Sequence, residues 1–167
     1  MTTPTLFLHP ALMPLAPAVT GRSEWPVGDL ARLTRLLVAD LPGVLRSQAV
    51  HDPAERWYLR LALTGQVEVW LLTWTPGQGT RPHDHGGASG SYTVLDGVLT
   101  ETWRDGDGPS RRSVRPQGTG SAFGPQRVHT VQNRGLRNAT SVHAYSPPLL
   151  PLGDGRLDEP AFAEPLA

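Results

Sequence analysis

Four of the six histidines fall between residues 83 and 143, and two of them form His83-Asp84-His85. In an extended segment residues i and i+2 point to the same side, so His83 and His85 can aim both imidazoles into one cavity. That is the spacing of paired metal ligands, and imidazole suits iron, zinc, nickel and copper alike. A bare His-x-His more often marks a solvated strand edge, so the case for a metal rests on what surrounds the pair.

The chemistry has to come from nitrogen and oxygen donors. The 167 residues include no cysteine, which removes disulfides, thiolate metal sites and cysteine nucleophiles together. Fifteen basic and fifteen acidic residues give a formal charge of zero, so no net field draws the chain to nucleic acid or to an anionic lipid surface. All of the basic residues are arginine. Leu6, Phe7 and Leu8 are interrupted by Pro4, His9, Pro10, Pro14 and Pro17, so no signal sequence is read there. No run approaches the ~20 apolar residues of a membrane helix, and a cytoplasmic location is expected.

The length fits one domain, and 18 glycines with 17 prolines favour short elements broken by turns. Residues 1–27 are read as an irregular arm. A helical segment is expected over 28–56: Asp29 is a candidate N-cap, Leu30, Leu33, Leu37 and Leu41 recur at helical spacing, and Pro42-Gly43 ends the run. From residue 57 to 146 the pattern turns to short runs rich in Val, Leu, Trp and Thr, which predicts an all-β dominated fold, a closed or nearly closed antiparallel barrel. QVEVWLLTW (66–74) is a strong strand, and SYTVL (91–95) and VLTETWR (98–104) flank Asp96-Gly97, the chemistry of a tight hairpin. Trp57, Trp70, Trp74 and Trp103 are read as core or packing positions. Residues 147–167 are read as a Pro-rich tail on the outside.

The spacing of Gly77, His83, His85, Gly90 and Gly97 resembles the first cupin motif, with Gly90 in place of the usual glutamate. Gly118 and His129-x-x-x-Asn133 resemble the second, although Gly124 and Gln126 depart from its usual Pro and Gly. More specifically, HDHGGASGSYTVLDGVLTETW (83–103), VHTVQNRGLRNATSVHAYSPPL (128–149) and YLRLALTGQVEVWLLTW (58–74) closely resemble the cysteine dioxygenase type I family. The resemblance implies a jelly-roll cupin with one Fe(II) per chain on His83, His85 and His129. It also implies a catalytic line of Ser141, His143 and Tyr145, and Arg60 as the grip on a substrate carboxylate. A cis bond before Pro147 is implied as well. Tyr58, two residues from Arg60, is a candidate for the pocket wall.

Those assignments make chemical sense. Ser141, His143 and Tyr145 alternate along one strand and can form a hydrogen-bonded line ending in a phenol. The planar fork of Arg60 suits a carboxylate, with a surface salt bridge as its ordinary alternative. Three neutral imidazoles leave the metal charge uncompensated by ligands, which favours an anionic substrate. Many relatives crosslink a cysteine to the catalytic tyrosine; Gly90 stands at that place, so Tyr145 is expected to be unmodified. The resemblance implies oxidation of L-cysteine by O2 to cysteine sulfinic acid. The alternatives are a 3-mercaptopropionate dioxygenase, a non-catalytic metal-binding cupin and a zinc-loaded cupin with isomerase-like chemistry. The expected partners are a small thiol and O2, with no nucleic acid and no membrane, in a monomer or small homo-oligomer. His9 and His51 are assigned no role.

Overall fold

A computed structural model describes residues 5–149. The helical segment forms because its leucines make one apolar stripe. In the helix Val27–Asp40 (α2), Leu30, Leu33 and Leu37 are buried, and Leu41 is buried at its C-cap. Asp29 lies in the first turn, bound to Arg22 at 2.6 Å, while Pro26 takes the N-cap position. Pro42 does not end the helical path: it occupies the first turn of a further helix, Pro42–Gln48 (α3), where its missing N–H costs nothing. Within the arm expected to be irregular, residues 5–8 and 10–19 form regular elements. A strand, Thr5–Leu8 (β1), is followed by a 3-10 helix, Pro10–Leu15, capped by His9, and by the short helix Ala16–Val19 (α1).

The remaining strands are Tyr58–Thr64 (β2), Glu68–Trp74 (β3), Ser89–Asp96 (β4), Val98–Asp105 (β5), Arg111–Pro116 (β6), Gly120–Phe123 (β7), Arg127–Gln132 (β8) and Ala139–Ser146 (β9). They pair antiparallel in two sheets, one in the order β1-β2-β3-β9-β4-β7 and the other β6-β5-β8. This is the all-β jelly roll expected. One local reading is overturned: β4 and β5 do not form a hairpin. β4 pairs with β7 and β9, whereas β5 pairs with β6 and β8. Gly97, at φ 76°, carries the chain from one sheet to the other, and a Cβ there would meet the Asn138 carbonyl oxygen at 2.5 Å. Turn chemistry in the sequence locates the bend but does not say which strand lies opposite.

Strand alternation divides the core in two. Val69 and Leu71 of β3, with Val142 and Ala144 of β9, pack beneath α2 and α3. Trp70, Leu72 and Trp74, with Tyr145, turn the other way into the space between the sheets. Thr34 of α2 anchors the helix to β4 through Ser91 Oγ (3.2 Å) and Thr93 Oγ1 (2.9 Å). The inner face of the sheet is thereby reserved for the site. The Ser146–Pro147 bond is cis, as the resemblance implies. The tail beyond residue 149 lies outside the described residues.

Candidate metal centre

His83, His85 and His129 converge. One ring nitrogen from each lies within 4.8 Å of the others. The convergence does not come from the strand geometry the His-x-His spacing suggests, because His83 and His85 lie in the irregular segment before β4. His83 is held instead by a bridge to β8, donating its backbone N–H to the His129 carbonyl (3.1 Å) and accepting from the His129 N–H (3.0 Å). His85 is fixed by the turn it opens, its carbonyl accepting from Ala88 N–H at 3.1 Å.

The rings are set in ligand form. Nδ1 of His83 lies 2.8 Å from the Arg81 carbonyl, and Nδ1 of His129 lies 2.9 Å from Glu101 Oε1, so Nε2 is the nitrogen each can offer to a metal. Both nitrogens of His85 are buried with no hydrogen-bond partner in the protein. A buried imidazole in that condition is costly unless something else binds it, and a metal ion held with His83 and His129 would do so. Burial, then the neighbouring imidazoles, depress His83 to about 4 and His85 to about 2, which keeps both neutral near physiological pH. The donor set fits a divalent transition metal.

Beside the histidines stands the line on β9. Ser141 Oγ is 2.8 Å from His143 Nε2, and His143 Nδ1 is 3.0 Å from the Tyr145 hydroxyl. The Tyr145 ring stacks on His85 with centroids 5.3 Å apart, so the line ends against the ligands. Burial holds His143 well below its ordinary value, and burial, then Glu68, holds Tyr145 well above its own. The imidazole is therefore neutral and the phenol keeps its proton.

Arg60 and Tyr58 are on β2 and face the same interior. The Arg60 guanidinium lies 4.5 Å from the Trp70 ring centroid and 3.8 Å from Glu68, which is 2% exposed, so the surface salt bridge is not what forms. Tyr58 meets Trp70 edge-on at 6.0 Å. Sequence reasoning missed four contributors. Trp74, read as packing, also donates its indole N–H to Ser141 Oγ at 2.9 Å. Glu68 accepts from the Leu149 N–H at 2.7 Å beside Arg60. Arg56 is buried over the Trp74 ring at 5.2 Å; burial lowers it to about 10, still cationic, and its charge bears on His83 and His143. Glu101 backs His129. The strand period could have flagged Glu68 and Glu101 as inward-facing acids, but Arg56 lies before β2 and carries no such signal.

Comparison with known proteins decides the lineage. The pattern that defines cysteine dioxygenase type I matches residues 38–154. The chain belongs to that family. Among solved structures it is similar to a Thermus thermophilus protein at 20% identity, covering 62% of this chain and 93% of that one, with a TM-score of 0.54. A Klebsiella pneumoniae protein with a double-stranded β-helix domain matches at 20% identity over 62% and 86% of the two chains, TM-score 0.51. A cupin superfamily protein from Desulfitobacterium hafniense matches at 14% identity over 60% and 84%, TM-score 0.52. These likenesses establish the cupin fold. Membership of the cysteine dioxygenase type I family, with three converging histidines, supports a metal-dependent cupin thiol dioxygenase.

Proposed function

We propose that the protein is a non-haem Fe(II) dioxygenase that oxidises L-cysteine with O2 to cysteine sulfinic acid. The observation that carries this reading is the meeting of three imidazoles with a protonated phenol in one interior of a family-matched fold. His83, His85 and His129 would hold the iron, and the iron would supply the redox chemistry by which a thiol reacts with O2. Both oxygen atoms end on sulfur, so the balance is one thiol plus one O2 giving one sulfinic acid.

The chain's own residues do the rest. Arg60 receives the substrate carboxylate, its fork kept in place by the Trp70 face and by Glu68. Arg56 adds a second positive charge that favours an anionic substrate. Trp74 can only donate, so its N–H occupies a lone pair of Ser141, which donates its own O–H to His143 Nε2. His143 then donates from Nδ1 to the Tyr145 oxygen, and the phenol proton points away from the line toward the charge that develops on the reacting thiol and oxygen. With no cysteine in the chain, Tyr145 works as a plain phenol.

The test is anaerobic loading with ferrous iron, followed by oxygen uptake and product identification with cysteine and 3-mercaptopropionate in parallel. Cysteine sulfinic acid formed with one O2 per thiol is expected. Preference for 3-mercaptopropionate would move the assignment to that thiol, and no uptake with either would leave a metal-binding cupin. Arg60→Gln should lower kcat/KM for cysteine by about ten- to a hundredfold, mainly through KM, as expected for losing a charged hydrogen bond.

A further inference from the structure

Behind His129, on the side away from the other two histidines, lies a cluster that the reaction does not touch. Glu101 of β5 is wholly buried. It stands diagonally across from His129, since β8 pairs Val131 with Glu101 and His129 with Trp103, so the two side chains share a face. Glu101 Oε1 accepts from His129 Nδ1 at 2.9 Å and from Arg127 Nη1 at 3.3 Å, and Oε2 accepts from Arg115 Nη2 at 3.1 Å. Arg127 is gripped in turn by Asp105, at 2.6 Å from Nε and 3.3 Å from Nη2. Both guanidinium groups lie 5.3 Å from the Trp103 ring. Arg127 and Arg115, which hold the carboxylate, are therefore themselves held in place.

We infer that Glu101 is a positioning residue: it fixes His129 as the Nδ1–H tautomer and thereby presents Nε2 to the metal. The inference rests on the metal reading above and adds to it a residue outside the ligand set. Two acids and two arginines balance within the cluster, so Glu101 adds no net negative charge behind the metal. Its contribution is directional. A buried carboxylate accepts only, so the ring nitrogen facing it must carry a proton, and the far nitrogen is the one left to offer a lone pair to a metal. The arginines keep the carboxylate oriented as it does so. Nδ1 of His83 faces the Arg81 carbonyl instead, and His85 has no hydrogen-bond partner among the described residues, so the carboxylate backing belongs to His129.

Glu101→Gln keeps size and shape but lets an amide N–H face His129 Nδ1, which favours the opposite tautomer. In metal-free, isotopically labelled wild-type protein, nitrogen-detected NMR should find the His129 proton on Nδ1. In the variant it should shift toward Nε2, and Co(II) affinity measured by titration without thiol or O2 should fall by ~10–100-fold. Glu101→Asp, still an acceptor, should retain the Nδ1–H tautomer. A wild-type His129 protonated at Nε2 would overturn the inference, whatever the variants do. So would a folded Glu101→Gln variant with unchanged tautomer and Co(II) affinity. Should wild type bind no divalent metal at all, it is the functional reading that fails, and the tautomer measurement still decides the role of Glu101.

Discussion

Two walls of the site are built by different means. The wall on β9 is periodic: Ser141, His143 and Tyr145 follow from strand alternation, and β3 pairs with β9 without interruption from Glu68↔Tyr145 to Trp74↔Ala139. The wall that carries the metal ligands is largely aperiodic. His83 and His85 sit in an irregular segment tied to β8 by isolated bridges at Gly79 and His83, and their rings are aimed by a carbonyl, a turn and packing. A regular sheet spaces a proton line at two-residue intervals. Three ligands around one point need directions that no sheet period supplies, so a loop supplies two of them and a strand the third.

The contrast predicts separable failures. The largest effect should come from the aperiodic wall. His85→Ala removes a ligand outright, so Co(II) affinity should drop by more than the ~10–100-fold expected for losing an outer partner, with the β9 line intact. Loss of the Tyr145 environment in the same variant, read by its fluorescence or NMR signals, would show that the walls are not independent. Tyr145→Phe should do the reverse, leaving metal affinity unchanged while kcat falls by about 10²–10⁴-fold, the usual contribution of a positioned proton donor. Weakened metal binding in that variant would break the comparison.

Gly90 is where the walls touch. A Cβ there would meet Phe123 at 2.6 Å and Tyr145 at 2.9 Å, and Phe123 itself packs on His85 with centroids 4.8 Å apart. Gly90→Ala should cost about 1–3 kcal/mol in chemical denaturation and disturb both walls together, lowering metal affinity and kcat in one step. The smallest effect, read between about pH 7 and about 6, is on pH-dependent stability. In the folded metal-free protein His83 is depressed from 6.5 to about 4, His85 falls further, and His143 is also lowered. The unfolded chain therefore binds more protons between these limits, so stability is full above about 6.5 and declines as pH falls toward about 4. The melting temperature of the apoprotein should drop by roughly 2–4 °C per kcal/mol lost, and bound metal should blunt the fall.

What the sequence revealed follows the same division. The helix stripe, the strands and the β9 line were legible because each repeats at a fixed period. The convergence of His83, His85 and His129 was legible through family resemblance, and for a different geometric reason than the spacing suggested. Asp96-Gly97 marked a bend but misnamed it, because partner choice depends on the strands that compete for each edge. Glu101 and Glu68 went unassigned because a strand period gives the face of a residue but not its partner, and Arg56 because a lone charge before a strand has no period to read.

The two-sidedness of β3 and β9 has a consequence for how the protein can change. Displacing either strand by a single residue would put Val69, Leu71, Val142 and Ala144 where the chemistry belongs and drive an imidazole and a phenol under the helices, so there is no partly correct version of this pairing. Substitutions on the helix-facing set can alter durability without addressing the reaction at all. The molecule thus keeps separate ledgers for endurance and for catalysis on opposite surfaces of the same ribbon.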